Sequence, residues 1–219
     1  MINRHPETDL MVEYATGSLP LAQTIAVTTH LQFCEECRNT TESLKDIGGD
    51  LLQAGESIEV SDDLLDRIFD CIESGNDEVS APAKKLCSDE VATDLPEYVS
   101  NLLPEGNLDW RKLTSSLRVA PVSVGEQEYE LSLHRINPGG KAPKHDHRGR
   151  EITVVLKGSF SDEDGVYQPG DFIVREPGDT HRPFATRNEE CICLSVLEAP
   201  IRLTGLKSVL NPFLSFSPS

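Results

Sequence analysis

Apolar and polar residues alternate with a helical period through the first part of the chain. Leu21, Ala22, Ile25 and Ala26 recur three or four positions apart, a spacing that predicts a helix with one apolar face. Ser18 precedes this run, and a serine hydroxyl suits the N-cap position of a helix. The pattern therefore predicts a helix that Ser18 caps.

Three further helices are predicted within residues 1–75. A short first helix ends at Gly17, and a third runs from about Glu35 to Ile47 and stops where two glycines follow. The fourth has a pronounced apolar stripe, formed by Leu64, Leu65, Ile68, Phe69 and Ile72. Such a stripe either packs inside the helical domain or serves as an apolar anchor for a partner.

The pattern changes in the second half of the chain. Residues 74–94 are polar and lack periodicity, which indicates a linker. Short alternating runs follow and predict strands of an antiparallel sandwich or barrel. These runs are 129–136, 151–156, 171–174 and 190–197. The predicted organisation is a helical domain at 1–75, a linker at 76–94, a β domain at 95–199 and a tail at 200–219.

Charge is distributed unevenly along the chain. The 219 residues include 20 Lys and Arg against 37 Asp and Glu, a formal net charge of −17. Residues 1–95 carry 6 Lys and Arg and 20 Asp and Glu, so most of the excess lies there. Binding to nucleic acid without sequence preference needs basic residues that neutralise phosphates. The acidic half therefore argues against direct DNA binding and favours a basic partner.

The chain has no sequence feature of export or membrane insertion. No apolar run approaches the ~20 residues that a membrane span requires, and acids stand where a signal peptide has its apolar stretch. The cysteines are too few and too clustered for a disulfide framework. They are Cys34, Cys37, Cys71, Cys87, Cys191 and Cys193. We predict a soluble cytoplasmic protein.

Three residues of the helical half have the spacing of metal ligands. His30, Cys34 and Cys37 fall within an arc of roughly 60° if the helix is continuous, and Cys-x-x-Cys reaches one ion even across a turn. Two thiolates and an imidazole suit zinc, which takes four ligands in a tetrahedron. His5 is the other histidine of this half and the candidate fourth ligand. Four protein ligands indicate a structural zinc; the alternative is a surface histidine with two buried cysteines.

The pattern His-x3-Cys-x2-Cys with an upstream histidine, in a short acidic helical segment, resembles the zinc-binding anti-sigma domain. The flanking residues 14–20 and 29–34 are similar to the ChrR type of anti-sigma factor, in which a cupin domain follows the anti-sigma domain. The fold class that this resemblance implies is a small all-α zinc-binding domain followed by an all-β cupin (jelly-roll) barrel. The resemblance implies that residues 1–75 bind an extracytoplasmic-function sigma factor one to one. It also implies that they block the surfaces with which sigma engages core RNA polymerase.

A second ligand pattern lies in the predicted β domain. Residues 139–158 read Gly-x5-His-x-His-x3-Glu-x6-Gly, which resembles the first cupin motif at every spaced position. His145 and His147 are two apart on an extended stretch, so both rings can face one side of the chain. The turn that follows can bring Glu151 alongside them.

His181 is the fourth candidate ligand of this cupin site. Residues 170–181 resemble the second cupin motif at both glycines and at the histidine, although Pro177 is displaced by one position and Ala185 replaces an Asn. Three imidazoles and one carboxylate suit zinc, iron, manganese or nickel. We expect a divalent metal, with zinc preferred; a cupin domain with an empty site is the alternative.

The other thiols and His134 have no motif around them. Cys191 and Cys193 share one side of a predicted strand and either fill the interior or form a thiol sensor. Packing is preferred because a reactive thiol needs exposure and a lowered pKa. Cys71 and Cys87 receive no role, and His134 is taken as an ordinary polar strand residue.

The resemblance implies an anti-sigma factor rather than an enzyme. Its metal-binding cupin domain would respond to oxidative stress, singlet oxygen or related oxidants, and release the sigma factor. The alternative is a metal-dependent cupin enzyme, of the dioxygenase or isomerase type, with an accessory zinc domain. The N-terminal half favours the regulator, because a free-standing cupin enzyme would not need it. The resemblance also allows a homodimer formed through the cupin domains, and the sequence does not decide between monomer and dimer.

Overall fold

The structure is a computed structural model that describes residues 2–74 and 87–204. The first segment holds four α-helices: α1 Thr8–Thr16, α2 Leu21–Phe33, α3 Glu35–Gln53 and α4 Leu64–Ser74. The second segment begins with a 3-10 helix, Glu90–Asp94, and a short helix, α5 Glu97–Ser100. Strands follow: β1 Arg111–Lys112, β2 Leu117–Pro121, β3 Glu130–Ile136, β4 His145–Asp146, β5 Glu151–Lys157, β6 Phe160–Asp162, β7 Gly165–Tyr167, β8 Phe172–Arg175, β9 Thr180–His181, β10 Phe184–Ala185, β11 Cys191–Leu197 and β12 Arg202–Leu203.

The strands form three antiparallel sheets. One has six strands in the order β1-β2-β3-β11-β5-β8, and two have three strands, β10-β6-β7 and β12-β4-β9. The predicted fold class, a small all-α domain followed by an all-β cupin of the jelly-roll type, is confirmed, although the sheets do not close into a continuous barrel. Pairing of β4 with β9 places His145 directly opposite His181.

The junction between the first two helices differs in part from the prediction. Gly17 ends α1 in a left-handed conformation, φ 71°, as expected for a helix C-terminus. Ser18 does not cap α2, because its hydroxyl donates to the carbonyl of Glu13 at 3.2 Å and so helps to close α1. Pro20 occupies the N-cap position of α2 and supplies no side-chain cap. The predicted cap was therefore wrong.

The third helix is longer than predicted. It passes through Gly48 and Gly49 and ends at Gln53. Each glycine weakens a helix by about 1 kcal/mol relative to alanine but leaves the backbone hydrogen bonds possible. The Cys34 sulfur accepts the N–H of Cys37 at 3.4 Å and caps the other end. The two glycines therefore do not end α3, and the predicted stop was wrong.

The core runs from the helical half into the six-stranded sheet. Ile25 of α2 belongs to the same apolar cluster as Leu194 and Val196 of β11. Cys191 and Cys193 point to the opposite side of β11 and belong to a second cluster inside the β half. Because side chains alternate across a strand and every residue of β11 is buried, neither face of this strand is exposed to solvent.

Part of the predicted linker is ordered against the β half. Cys87 pairs with Gly106 through an isolated β-bridge, and Val91 and Ala92 are buried. Residues 76–86 of the predicted linker and residues 205–219 of the predicted tail lie outside the described residues. Within the described ranges, none of the helices has the length and apolar character needed to cross a bilayer.

Candidate metal centres

The N-terminal candidate ligands come together at one point between three elements. His5 precedes α1, His30 lies in the last turn of α2, and Cys34 and Cys37 flank the start of α3. One donor atom from each residue lies within 4.8 Å of all the others. Cys34 is extended, φ −106° and ψ 107°, so a turn separates α2 from α3. The Cys-x-x-Cys pair therefore reaches the site across this turn and not along a continuous helix.

The two thiols and His5 are in mutual contact. The Nδ1 atom of His5 lies 3.4 Å from the Cys34 sulfur and 3.3 Å from the Cys37 sulfur. Burial, together with the contact to Cys34, raises the pKa of the Cys37 thiol to about 12. Metal ions bind thiolates and lower thiol pKa values, so a bound cation would oppose this shift.

His30 supplies the observation that tests whether a metal fits. Its Nδ1 atom lies 2.6 Å from the carbonyl oxygen of Gly170, and because a carbonyl only accepts, Nδ1 carries the proton. Burial lowers the pKa of His30 to about 4, so the ring is neutral. Its Nε2 lone pair is then buried without a hydrogen-bond partner among the described residues. A metal between Nε2 and the thiolates satisfies this atom, so the residues fit zinc.

The cupin candidate ligands also converge. His145 lies in β4, His147 follows that strand, Glu151 begins β5 and His181 ends β9. All four are buried, and their donor atoms lie within 4.8 Å of one another. The structure thus brings together every residue that the second set of motifs predicted.

Two cupin histidines present lone pairs to each other. His145 donates from Nδ1 to the carbonyl of Pro143 at 2.9 Å, and His181 Nδ1 lies 3.0 Å from the carboxylate of Asp162. The two Nε2 atoms face each other at 3.1 Å. A ring that carries its proton at Nδ1 alone presents a lone pair at Nε2, so two such rings would place two acceptors in contact. A cation between them removes this conflict, so this donor set also fits a metal.

Glu151 and His147 complete the cupin site. Glu151 Oε2 lies 3.4 Å from His147 Nδ1, while Oε1 accepts the hydroxyl of Ser195 at 2.9 Å. Burial alone would raise the pKa of Glu151, but the neighbouring imidazoles hold it below its usual range. Burial lowers the pKa of His147 to about 4. Oε2 and both His147 nitrogens have no hydrogen-bond partner in the described chain.

Asp162 is a residue of this site that the sequence did not indicate. Its Oδ2 faces His181, and it accepts the Tyr167 hydroxyl at 2.9 Å and Arg175 at 2.6 Å. Burial alone would raise the pKa of Asp162, but hydrogen bonds from His181, the Asp164 N–H and Tyr167 hold it well below its usual range. Asp162 lies in an acidic segment that reads as an exposed turn, so no local signal marks it.

A cavity of about 330 Å³ adjoins the cupin site. Its wall is largely apolar and includes Leu117, Val119 and Phe160 beside the ligands. His134 also lines it: its Nε2 atom lies 3.1 Å from the Ser132 hydroxyl oxygen, and burial lowers its pKa. His134 therefore borders the site, although it was predicted to be an ordinary polar strand residue.

The remaining cysteines belong to neither ligand set, although Cys193 lines the cavity beside the cupin site. Cys191 and Cys193 are buried with their sulfurs 3.6 Å apart, and their contact and burial raise the pKa of Cys193. This arrangement agrees with the packing interpretation. Cys71 is exposed on α4, and the Cys87 sulfur lies 3.2 Å from the carbonyl oxygen of Gly106.

The chain is similar to known proteins along most of its length. Residues 102–199 match the ChrR cupin-like domain. Over 215 residues the chain is 33% identical to the anti-sigma-E factor ChrR of Cereibacter sphaeroides, covering 97% of this chain and 98% of that protein. The chain belongs to the ChrR family of anti-sigma factors. The resemblance inferred from the motifs is therefore confirmed.

A solved structure of the family has the same architecture. The crystal structure of Rhodobacter sphaeroides SigE in complex with the anti-sigma ChrR matches with a TM-score of 0.75 and 29% identity. The match covers 90% of this chain and 100% of that one. The similarity thus includes the helical half as well as the cupin half.

Proposed function

We propose that this chain is an anti-sigma factor that binds and inhibits an extracytoplasmic-function sigma factor through residues 1–75. The observation that carries the proposal is an exposed apolar surface on the helical half, in a chain of the ChrR family. The sigma partner is named by the anti-sigma relatives. We place the complex in the cytoplasm, where sigma factors meet RNA polymerase.

The apolar stripe of α4 lies on the surface. Leu65, Ile68, Phe69 and Ile72 are 61%, 47%, 53% and 66% exposed. The alternative interpretation was that the stripe packs inside the helical half. These exposures contradict it for the described part of that half. Contiguous exposed apolar side chains mark protein–protein interaction sites. We call residues 64–72 the partner-binding surface.

Acidic residues surround the partner-binding surface. Asp62, Asp63, Asp66 and Asp70 lie beside or between its apolar positions and are exposed. An apolar centre with an acidic rim fits a partner whose surface combines apolar residues with Lys and Arg. Nucleic acid does not fit, because the phosphates would meet like charge.

Capture of the partner tests the anti-sigma proposal. The tagged full-length chain is expressed in the bacterium of origin and purified with or without a zinc chelator. We expect a sigma factor to co-purify with the untreated chain and to be lost on chelation. Folded, metal-loaded bait that captures no sigma factor would show that the proposal is wrong.

We infer a structural role for zinc in the helical half. His5, His30, Cys34 and Cys37 provide two imidazoles and two thiols, a set that fills the four positions of zinc. Four protein ligands leave no position for substrate. Zinc joins the segment before α1 to the junction of α2 and α3, so its loss is expected to loosen the whole helical half.

We infer a second divalent metal, zinc or alternatively iron, manganese or nickel, at the cupin site, and a role for it in the response to oxidants. The buried carboxylate and imidazoles supply only nitrogen and oxygen donors. Singlet oxygen or related oxidants acting at this site would release the sigma factor. In cells exposed to a photosensitiser, a Glu151→Ala variant is expected to keep sigma-dependent transcription low. Normal induction in that variant would contradict this role.

The cavity beside the cupin site is the one observation that favours the alternative function, which is an enzyme. A metal-dependent cupin enzyme of the dioxygenase or isomerase type would bind its substrate in such a space. That alternative predicts turnover of a small oxidisable or carbonyl compound and its loss in a His147→Ala variant. Membership of the anti-sigma family favours the regulator.

A further inference from the structure

Asp171 joins the start of the chain to the β half. It lies immediately before β8 and is 0% exposed. Its Oδ1 accepts the backbone N–H of Asn3 at 2.8 Å and that of Arg4 at 3.1 Å. The N–H of Phe172 donates to the Arg4 carbonyl at 3.0 Å. The segment that leads into the candidate ligand His5 is therefore hydrogen-bonded to the beginning of β8.

A second candidate zinc ligand is held by the residues that lead into the same strand. His30 donates from Nδ1 to the carbonyl of Gly170, two residues before β8 begins. The contact is tight, since a Cβ on Gly170 would lie 2.7 Å from side-chain carbons of Ile2 and Phe33. Partners that hold the outer nitrogen of a ligating histidine fix its orientation and its affinity for the metal. Here that partner belongs to the other half of the chain.

The far end of β8 reaches the cupin site. Arg175, its last residue, donates to Asp162 Oδ2 at 2.6 Å, and the same oxygen lies 3.0 Å from His181 Nδ1. The Asp162 side chain is 0% exposed. Removing one partner of such a buried charged group is costly, so the positions of these three side chains depend on one another. The four residues of β8 span roughly 10 Å at a strand's rise per residue.

We propose that Asp171 positions the N-terminal zinc site and that β8 couples this site to the cupin metal site. At one end, the strand is held by His181 through Asp162 and Arg175. At the other end, it holds the residues around the zinc ligands. Coupling between two binding sites is reciprocal, so emptying either site weakens metal retention at the other. The coupling rests on the two metal sites proposed above, and it requires no sigma factor.

Cobalt(II) in place of both metals allows one site to be observed separately. The full-length chain is loaded with cobalt, and loss of the metal to a chelator is followed by absorption. The N-terminal ligand set contains thiolates and the cupin set does not, so thiolate-to-cobalt charge-transfer absorption reports the N-terminal site alone. Wild type, Asp171→Ala, Glu151→Ala and the double variant form a double-mutant cycle.

Asp89→Ala is the matched control. Like Asp171→Ala, it removes a carboxylate that accepts hydrogen bonds from backbone N–H groups. Asp89 accepts the N–H of Val91 at 3.0 Å and the indole N–H of Trp110 at 3.0 Å. Neither partner is a candidate ligand. Asp171→Asn, which keeps an oxygen acceptor, replaces the alanine variant if that variant does not fold.

Each single substitution is expected to speed cobalt loss from the N-terminal site about tenfold. The double variant should be no faster than Asp171→Ala, because both changes act through β8, and Asp89→Ala should match wild type. A wild-type rate in either single variant, or effects that multiply in the double variant, would overturn the coupling. Cobalt content before chelation separates the two proposals: a wild-type chain that binds fewer than two ions overturns the metal sites themselves.

Discussion

The carboxylate of Asp162 lies 3.0 Å from Nδ1 of His181, while Nε2 of the same ring faces His145 at 3.1 Å. This pair fixes which ring nitrogen carries the proton and which is free to bind a metal. Local sequence reasoning finds His181 and misses Asp162, yet the orientation of the ligand depends on both residues.

Replacing this carboxylate should weaken the cupin site. We expect Asp162→Asn to lower the affinity for zinc about 10- to 100-fold, because the amide no longer attracts the Nδ1 proton as strongly. Competition with a calibrated chelator measures the affinity. Asp164→Asn is the matched control, since Asp164 also pairs with Arg175 but is exposed. Equal affinities for Asp162→Asn and wild type would contradict the positioning role.

Removing one thiol should remove one metal. The Cys37→Ser variant is expected to hold about one metal ion per chain where wild type holds about two, because a zinc site needs its fourth ligand. Elemental analysis of the purified chain counts the ions. Cys71→Ser provides the comparison, since Cys71 is an exposed cysteine outside both ligand sets. Loss of metal from Cys71→Ser, or full content in Cys37→Ser, would refute the assignment.

A charge in the partner-binding surface should weaken sigma binding without unfolding the chain. We expect Phe69→Asp to reduce the affinity about 30-fold, the effect of losing an apolar anchor worth about 2 kcal/mol. The melting temperature should stay close to that of wild type, because Phe69 is 53% exposed. Calorimetric titration with the captured sigma factor gives the affinity.

The control for this surface comes from the cupin half. Val166 of β7 is 67% exposed and lies far along the chain from α4. Val166→Asp introduces the same charge on another exposed apolar residue, and we expect it to leave the affinity unchanged. If both variants weaken binding equally, nonspecific charge repulsion is the cause and α4 is not the anchor.

The shared core predicts that both halves unfold together. Ile25 is 1% exposed and packs in the cluster that includes β11, so Ile25→Ala should cost about 2–5 kcal/mol of unfolding free energy. Helicity reports mainly the helical half, whereas fluorescence of Trp110, the single tryptophan, reports the β half. In urea, both signals should shift to the same lower midpoint. Two separate unfolding midpoints, with only the midpoint of the helicity signal lowered, would show that the two halves unfold independently.

Local spacing predicted both candidate ligand sets because most of the ligands in each set lie within one short segment of the sequence. Cys34 and Cys37 lie one turn apart, and His145 and His147 lie on one extended stretch, so chain geometry alone brings them together. His5 was predicted because it is the only other histidine in its half of the chain, and His181 was predicted from the second cupin motif. The structure brings each of them to its predicted ligand set, and few other histidines existed in its half.

Contacts distant in sequence could not be predicted in the same way. The bond from His30 to Gly170 joins residues 140 positions apart, and that from Asn3 to Asp171 joins residues 168 apart. No periodicity connects such pairs. The length of α3 was missed for another reason: glycine lowers helix propensity, but a run of favourable neighbours outweighs it, and only the folded chain shows the balance.

Because β11 shares an apolar cluster with α2, neither half of the chain is easily replaced by an unrelated domain. A gene fusion that joined this cupin to a different N-terminal module would remove α2 from the apolar cluster that holds Ile192, Leu194 and Val196, unless the new module supplied an apolar helix in its place. Such a chimera would aggregate even if its ligand residues were intact. Solubility alone therefore favours joint inheritance of the two halves, whatever each half binds.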